Sequence, residues 1–293
     1  MPELPEVETI ARGVDGRVRG DRISEAWFSS HKEPFKNPPR RQAKGLEGRL
    51  ILGVHRTGKH IVCELGPAAG SVAMASLRSS RPGPQSPGDT PEAQWIVHLG
   101  MTGRLLVTPL DSPVAAHTHA RLTLASGREL RFVDPRRFGR LEFRDLGRTG
   151  GFAGPGAEPL TILAEDFAAL FRARRLAIKA ALLNQALLAG VGNIYADESL
   201  FRAGIRPSKR AGRLTRAELD RLRIALRGVL EFAIERGGSS VSDYVNADGG
   251  RGFFQLEHCV YQRTGQPCVT CQTPIRRTLI AGRGTHFCPR CQR

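Results

Sequence analysis

No apolar run in this 293-residue chain approaches the roughly 20 residues that cross a bilayer, and no basic-then-apolar leader opens it. The sequence therefore reads as a soluble, intracellular chain with no membrane partner. Nothing recurs at a fixed period, which excludes a solenoid or repeat array. Acidic residues are short: 28 Asp and Glu stand against 44 Lys and Arg, a formal net charge of +16. That imbalance points to a polyanion, with nucleic acid first and an anionic membrane surface second. Cysteine is sparse as well. Six thiols in a reducing compartment do not suggest a disulfide framework, so their placement matters more than their number. The length suffices for two domains, each with its own core.

The patterning divides the chain. Pro5 with Glu6 and Glu8 makes a helix start, and Val7, Ile10, Ala11, Val14 and Val18 continue at helical spacing to about residue 19. Such a helix would hold the amino terminus against a core. From about residue 22 short alternating runs follow, among them Arg49–Val54, Lys59–Leu65, Trp95–Leu99, Arg104–Thr108, Arg121–Ala125, Glu129–Val133 and Arg140–Phe143, with Ser126-Gly127 as a hairpin turn. Regular short strands separated by turns predict an antiparallel sandwich over residues 1–145. Residues 67–94, a Pro, Gly, Ser and Ala mixture without apolar period, read as a disordered insertion. Residues 146–160 read as a linker. Helices are then predicted: one begun by Phe167, Leu170 and Phe171, one over Ala177–Leu188, one over Ile194–Ala203, and a long one opened by the Thr215-x-x-Glu218 capping box and stopped at Gly237-Gly238. The expected class is α+β in two domains: the sandwich with its leading helix, then a helical domain over 161–258 and a finger over 259–293.

Several stretches carry chemistry. Cys268-x2-Cys271 and Cys288-x2-Cys291, sixteen residues apart, have the spacing of a four-thiolate zinc site. Four thiolates close the tetrahedron and leave no position for water, so one structural zinc is expected. Two disulfides are the other pairing of the same spacing. Cys63 and Cys259 lack such partners and suit packing. Six arginines and no acids follow from Arg263 to Arg293, which would set the finger on a phosphate backbone, with Arg283 in its hairpin. Gly190-Val191-Gly192-Asn193 precedes a helix whose free N–H groups could meet a phosphate, or it is an ordinary helix–helix connection. Asp134–Gly139 sets two arginines beside Phe138 at a strand end, either a wedge for a base stack or a solvated turn. Taken singly, Lys59 after Thr57-Gly58 is a surface lysine at a strand start, and His98, His117 and His119 read equally as structural histidines.

The opening Met1-Pro2-Glu3 gains meaning if Met1 is removed. Pro2 then presents a secondary amine, partly unprotonated at neutral pH because α-amino groups titrate near about 8. Attack on a sugar C1′ gives an iminium with no N–H proton to lose. It stays cationic, acidifies the C2′ proton and makes loss of a 3′-phosphate feasible. Glu3, one residue on, could move protons around that amine.

In order along the chain, Pro2–Glu8, His98-Leu99-Gly100-Met101-Thr102-Gly103, Asp134–Gly139, Gly190–Glu198 and the four-cysteine finger together resemble the formamidopyrimidine-DNA glycosylase family. The match runs nearly end to end, interrupted mainly by residues 67–94. The resemblance implies a β-sandwich domain, a helix–two-turn–helix domain and a zinc finger. It implies Pro2 as Schiff-base nucleophile, Glu3 as proton donor, Lys59 as the lysine of β-elimination, and Arg283 as the arginine that supports δ-elimination and holds the lesion phosphate. Met101, Arg136 and Phe138 match the three side chains that enter the duplex, and His98, His117, Arg174 and Asn193 match positions that touch DNA. The implied activity is excision of oxidised purines, 8-oxoguanine and formamidopyrimidines, from double-stranded DNA with strand cleavage at the abasic site, by a cytoplasmic, nucleoid-associated bacterial monomer. The endonuclease VIII branch fits worse, because it resembles Met-Pro-Glu-Gly-Pro at its start and lacks the Met, Arg and Phe trio. A non-catalytic nucleic-acid-binding zinc protein would explain the charge and the finger but not Pro2-Glu3 with Lys59. The chain departs from the family at Gln262, where Gly is usual, and at His286, where an aromatic pair is common.

Overall fold

The computed structural model describes all residues except 32, 69–89, 240–246, 248–249 and 251, so most of the 67–94 segment lies outside the described residues. Two units emerge. One holds Met1–Pro2 and Glu6–Ala153, with Ala247 and Gly250 among the later described residues; the other holds Glu3–Pro5, Gly154–Gly238 with Ser239, and Gly252–Arg293.

The leading helix α1 spans Leu4–Val18, with Glu6 in its first turn and Arg17 in its last, the charge order that the helix dipole favours. Val7, Ile10, Ala11, Val14 and Val18 are buried, as their spacing predicts. There follow β1 (Ile23–Phe28), α2 (Pro39–Leu46), β2 (Arg49–Thr57), β3 (His60–Ala68), β4 (Ala93–His98), β5 (Arg104–Pro109), β6 (Thr118–Leu124), β7 (Arg128–Val133) and β8 (Arg140–Asp145). They form two antiparallel four-stranded sheets, ordered β1-β6-β7-β5 and β2-β3-β4-β8. Inward side chains of both, including Ile23, Leu105, Leu122 and Phe132 from one and Ile51, Ile61, Trp95 and Leu141 from the other, share a single core with α1. This is the predicted sandwich. Strand β1 and helix α2 escape the periodic signal for identifiable reasons. A register shift between Ile23 and Glu25 breaks the alternation of β1. Helix α2 is eight residues long and buries only Gln42 and Leu46. Strands β3 and β4 claim Pro67, Ala68, Ala93 and Gln94, so ladder residues occupy both ends of the expected insertion.

A single turn, α3 (Leu146–Thr149), is capped by Asp145, whose side chain accepts from Gly147 N. The second unit then comprises α4 (Ala164–Phe171), α5 (Ile178–Leu182), α6 (Asn193–Arg202) and α7 (Arg216–Glu235), followed by the hairpin of β9 (Arg276–Ile280) and β10 (Arg283–Phe287). Phe167 and Phe171 lie in the body and at the end of α4 rather than opening it, because the acidic first turn, Glu165 and Asp166, comes earlier. The helix expected over Ala177–Leu188 stops at Leu182. Beyond it the Asn184 side chain accepts from Ala186 N, and Gln185 bonds Val191 O and Gly190 N, so side chains take the groups a longer helix would pair. Helix α7 has its capping box in full, with Thr215 Oγ1 accepting from Glu218 N and Glu218 accepting from Thr215 N. Leu4 belongs to the core of this unit, with Phe167, Leu182, Tyr195 and Leu226. Its N–H donates to Gly190 O at 3.0 Å, and a Cβ at Gly190 would come within 2.8 Å of it.

Candidate active site

The amino terminus is fixed through Glu3. Glu3 is 5 % exposed, and its carboxylate accepts from Ile194 N at 3.2 Å and Tyr195 N at 3.5 Å, N–H groups of the first turn of α6, which have no partner within the helix. The positive end of the helix dipole and these two donors favour the anionic carboxylate there. Gly192 makes the approach possible, since a Cβ at that position would overlap the Glu3 carboxylate itself. Thus Gly190 admits Leu4, Gly192 admits Glu3, and the residue before Glu3 is Pro2. Met1, by contrast, is half exposed.

Helix α6 also carries Asn193, whose Nδ2 donates to Gly284 O at 3.0 Å in the finger hairpin. Arg283 stands one residue earlier, exposed at the start of β10 opposite Ile280, just past the Ala281-Gly282 turn, where both residues have positive φ. Two further buried groups meet this hairpin that sequence reasoning did not single out. Lys179 of α5 and Asp197 of α6 are fully buried and form an ion pair at 2.7 Å. A lysine inside the apolar run Ala177–Leu188 was the available signal, because a lysine is rarely buried unless paired.

In the sandwich unit, Lys59 lies in the two-residue turn Gly58-Lys59 that joins β2 to β3, across the Thr57–His60 pair, rather than at a strand start. Gly58 takes φ 61°, which such a hairpin requires at its first turn position. Lys59 is 8 % exposed, far from the solvated lysine that its lone sequence position allows. Two other turns of this unit lock together. Thr102 Oγ1 donates to Asp134 Oδ1 at 2.6 Å, and Asp134 Oδ2 accepts from Gly139 N at 2.8 Å. Gly100, at φ 62°, lies so close to the Phe138 carbonyl that no Cβ would fit. This arrangement presents Met101 and Phe138, both more than 40 % exposed, with the Arg136 guanidinium 4.8 Å from the Phe138 ring centre. Three side chains that could fill a void in a base stack therefore project from two interlocked turns, and the organising Asp134 is another residue that the sequence reading left without a role.

The histidines separate by environment. His98 accepts from Gly100 N at 3.2 Å through Nδ1, and its ring lies 4.9 Å from that of His60. Burial, then the His60 neighbour, pushes its pKa down to about 4, so it is a neutral acceptor that supports the Met101 turn. His119 bridges Ser29 Oγ and the Asp134 carbonyl. His117 is exposed at φ 62°, its carbonyl accepting from Asp134 N. Arg174 is exposed beside Arg172 and Arg175, with its peptide held by Gly212 N.

In the finger, the Sγ atoms of Cys268, Cys271, Cys288 and Cys291 all lie within 4.8 Å of one another, with Cys268–Cys291 at 3.9 Å and Cys271–Cys288 at 3.4 Å. Tetrahedral Zn–S bonds of about 2.3 Å place sulfurs about 3.8 Å apart, so the cluster fits one zinc and not two disulfides. The finger is joined to the helices: Gln292 Nε2 donates to Ile205 O, Arg206 donates to the Pro289 and Gln292 carbonyls, and Arg206 lies 5.1 Å from the Phe287 ring centre. Gln262 takes φ 59°, the left-handed region that favours glycine, which accounts for the glycine usual there.

Comparison with known proteins covers the whole chain. Family models match at residues 1–141 (formamidopyrimidine-DNA glycosylase N-terminal domain), 154–245 (formamidopyrimidine-DNA glycosylase H2TH domain) and 265–293 (zinc finger found in FPG and IleRS). The formamidopyrimidine-DNA glycosylase of Solibacter usitatus is 44% identical over 294 residues, covering 100% of both chains. The MutM (Fpg) protein of Thermus thermophilus superposes with a TM-score of 0.79 at 40% identity, covering 99% of this chain and 98% of that one. The Lactococcus lactis Fpg, solved in complex with DNA containing an abasic site, gives a TM-score of 0.82 at 32% identity over 99% of both chains.

Proposed function

The chain belongs to the formamidopyrimidine-DNA glycosylase family, and from that membership we propose that it excises oxidised purines from duplex DNA and then cleaves the strand. The observation that carries the mechanism is the seat of Glu3 on the N-terminus of α6, which fixes the backbone one residue after Pro2. A damaged base inside a duplex is out of reach, so it must be everted and its place filled. Met101, Arg136 and Phe138 are the filling side chains in this reading.

Once Met1 is removed, the Pro2 nitrogen attacks C1′ as the glycosidic bond breaks, and the electron pair of that bond leaves with the protonated base. The C1′–O4′ bond then opens as the nitrogen lone pair forms the iminium, its electron pair leaving on O4′, which takes up a proton. Glu3 moves protons at the sugar, and Lys59 assists β-elimination. The iminium accepts the electrons released when C2′ loses a proton, and the 3′-phosphate departs. Loss of a second proton expels the 5′-phosphate, with Arg283 on the lesion phosphate, and leaves a gap with phosphate at both ends. The four cysteines would hold one zinc that shapes the finger and takes no part in these steps. His98, His117, Arg174 and Asn193 complete the contacts to DNA, His98 by bracing the Met101 turn. The protein acts as a monomer in the bacterial cytoplasm, associated with the nucleoid through its affinity for DNA.

Borohydride reduction on an abasic duplex tests the mechanism directly. Covalent protein–DNA product is expected from the mature chain and none from a form that retains Met1, because an acylated nitrogen has no available lone pair. Normal cleavage of abasic DNA by the Met1-retaining form would show that Pro2 is not the nucleophile.

A further inference from the structure

We propose that Asp197 is a positioning residue for Arg283, acting through Lys179 and the backbone of the finger hairpin. The inference rests on the reading of Arg283 as the arginine of the second elimination. The Lys179 ammonium is fully buried, donates to Thr285 Oγ1 at 2.8 Å and to Gly284 O at 2.9 Å, and forms an ion pair with Asp197 Oδ1 at 2.7 Å. The Thr285 hydroxyl in turn donates to the Arg283 carbonyl at 3.1 Å. The second Asp197 oxygen accepts from His286 N at 2.9 Å and lies 3.2 Å from His286 Nδ1. Asn193 adds a second donor to Gly284 O. The Gly284 carbonyl and the His286 amide are therefore tied directly to α5 or α6, and the Arg283 carbonyl is linked to Lys179 through the Thr285 hydroxyl, while the Ala281-Gly282 tip on the other side of Arg283 is exposed.

The charge on Asp197 is what keeps this clamp complete. Burial pushes the Lys179 pKa down; Asp197 is the strongest opposing influence, Glu3 helps, and Arg283 works against it. Without the Asp197 carboxylate, a buried ammonium would stand uncompensated, a strongly destabilising condition. Lys179 would then lose its proton or turn away, and either change removes a donor from Gly284 or Thr285. In Asp197→Asn one remaining acceptor oxygen must serve either Lys179 or His286 N, and the amide NH2 faces the other. The arm that begins at Arg283 would move relative to α6, and small misplacements of a charge-stabilising group cost large factors in rate. An ion pair that served only global stability would not distinguish one elimination from the other.

The partition of products makes that distinction. Single-turnover cleavage of an abasic duplex yields ends from β-elimination alone, an unsaturated aldehyde, and ends from both eliminations, a 3′-phosphate. Loss of folded protein lowers both together and leaves their ratio unchanged. Asp197→Asn is expected to lower the ratio of 3′-phosphate to aldehyde about tenfold, in the direction of Arg283→Ala, and the double variant should be no lower than Arg283→Ala alone. If zinc content and melting show that Asp197→Asn does not fold, Thr285→Val, which cuts the link from Lys179 to the Arg283 carbonyl, is expected to shift the ratio in the same direction. The proposal is overturned if Arg283→Ala shifts the ratio while Asp197→Asn and Thr285→Val do not, or if the double variant is additive. A normal ratio in Arg283→Ala would instead remove the reading of Arg283 on which the proposal stands, and the proposal with it.

Discussion

At the scale of the residue, the site depends on atoms that are missing as much as on those present. Gly192 has no Cβ, and the Glu3 carboxylate occupies the space where one would sit. Gly192→Ala should displace that carboxylate from Ile194 N and cut the rate of borohydride trapping about a hundredfold, with zinc content unchanged. A trapping rate close to that of the parent would mean that the carboxylate seat is not needed. His98 yields a pH prediction. Its pKa is lowered from the ordinary 6.5 to about 4 because burial disfavours the imidazolium and His60, Lys59 and Arg140 nearby repel its charge. A base with a depressed folded-state pKa contributes stability that is whole above pH 6.5 and is lost as pH falls toward about 4, since the unfolded chain takes up the proton first. The loss should approach about 1.4 kcal/mol per pH unit in that window. His98→Gln keeps an acceptor that does not titrate, so urea unfolding at pH values between about 4 and 6.5 should show a shallower pH slope than the parent. An unchanged slope would assign the acid sensitivity elsewhere, with His258, also pushed to about 4 by burial, the next group to examine.

At the scale of the element, ends matter more than middles. Helix α6 uses its N-terminus to seat Glu3 and its body to reach the finger through Asp197 and Glu198. Glu198 accepts from Cys259, Val260 and Tyr261 N–H at 2.8–2.9 Å; burial pushes its carboxyl up, and these three donors oppose the shift. Helix α7 opens on its capping box, so Thr215→Ala should cost about 1 kcal/mol in denaturant unfolding while leaving trapping on abasic DNA unaltered. A parallel loss of trapping would tie α7 to the chemistry. The two interlocked turns that present Met101 and Phe138 are rigid for the same kind of reason: the Asp134 side chain supplies acceptors that the backbone of a turn lacks.

For the whole molecule, the net charge of +16 governs how DNA is met. Duplex affinity should fall with salt by close to one power of ionic strength for each phosphate neutralised. Cys288→Ala should release the zinc, loosen the arginines of the finger, and make that salt dependence shallower by at least about one power. Metal analysis with binding isotherms across a salt series measures both, and full affinity in a metal-free variant would show that the finger is dispensable for binding. Because Gln292 and Arg206 tie the second cysteine pair to the α6–α7 connection, the same variant should also lower the melting temperature of the helical unit.

By itself the sequence determined the class, the order of the longer elements and the zinc-binding cysteines. Period-two and period-3.6 patterns report burial directly, and the cysteine spacing reports a tetrahedron. The shorter pieces were not legible: β1 hides behind a bulge, α2 buries two side chains, and α5 stops early because Asn184 and Gln185 capture its backbone partners. What only the tertiary structure decided is which polar groups meet. Glu3 finds Ile194 across 191 residues, Lys179 finds Thr285 across 106, and Asp134 finds Thr102 across 32. Such pairs have no period and no spacing. They are selected because a polar group buried by the fold must find its complement there or forfeit its hydration, and that condition exists only after the chain has closed.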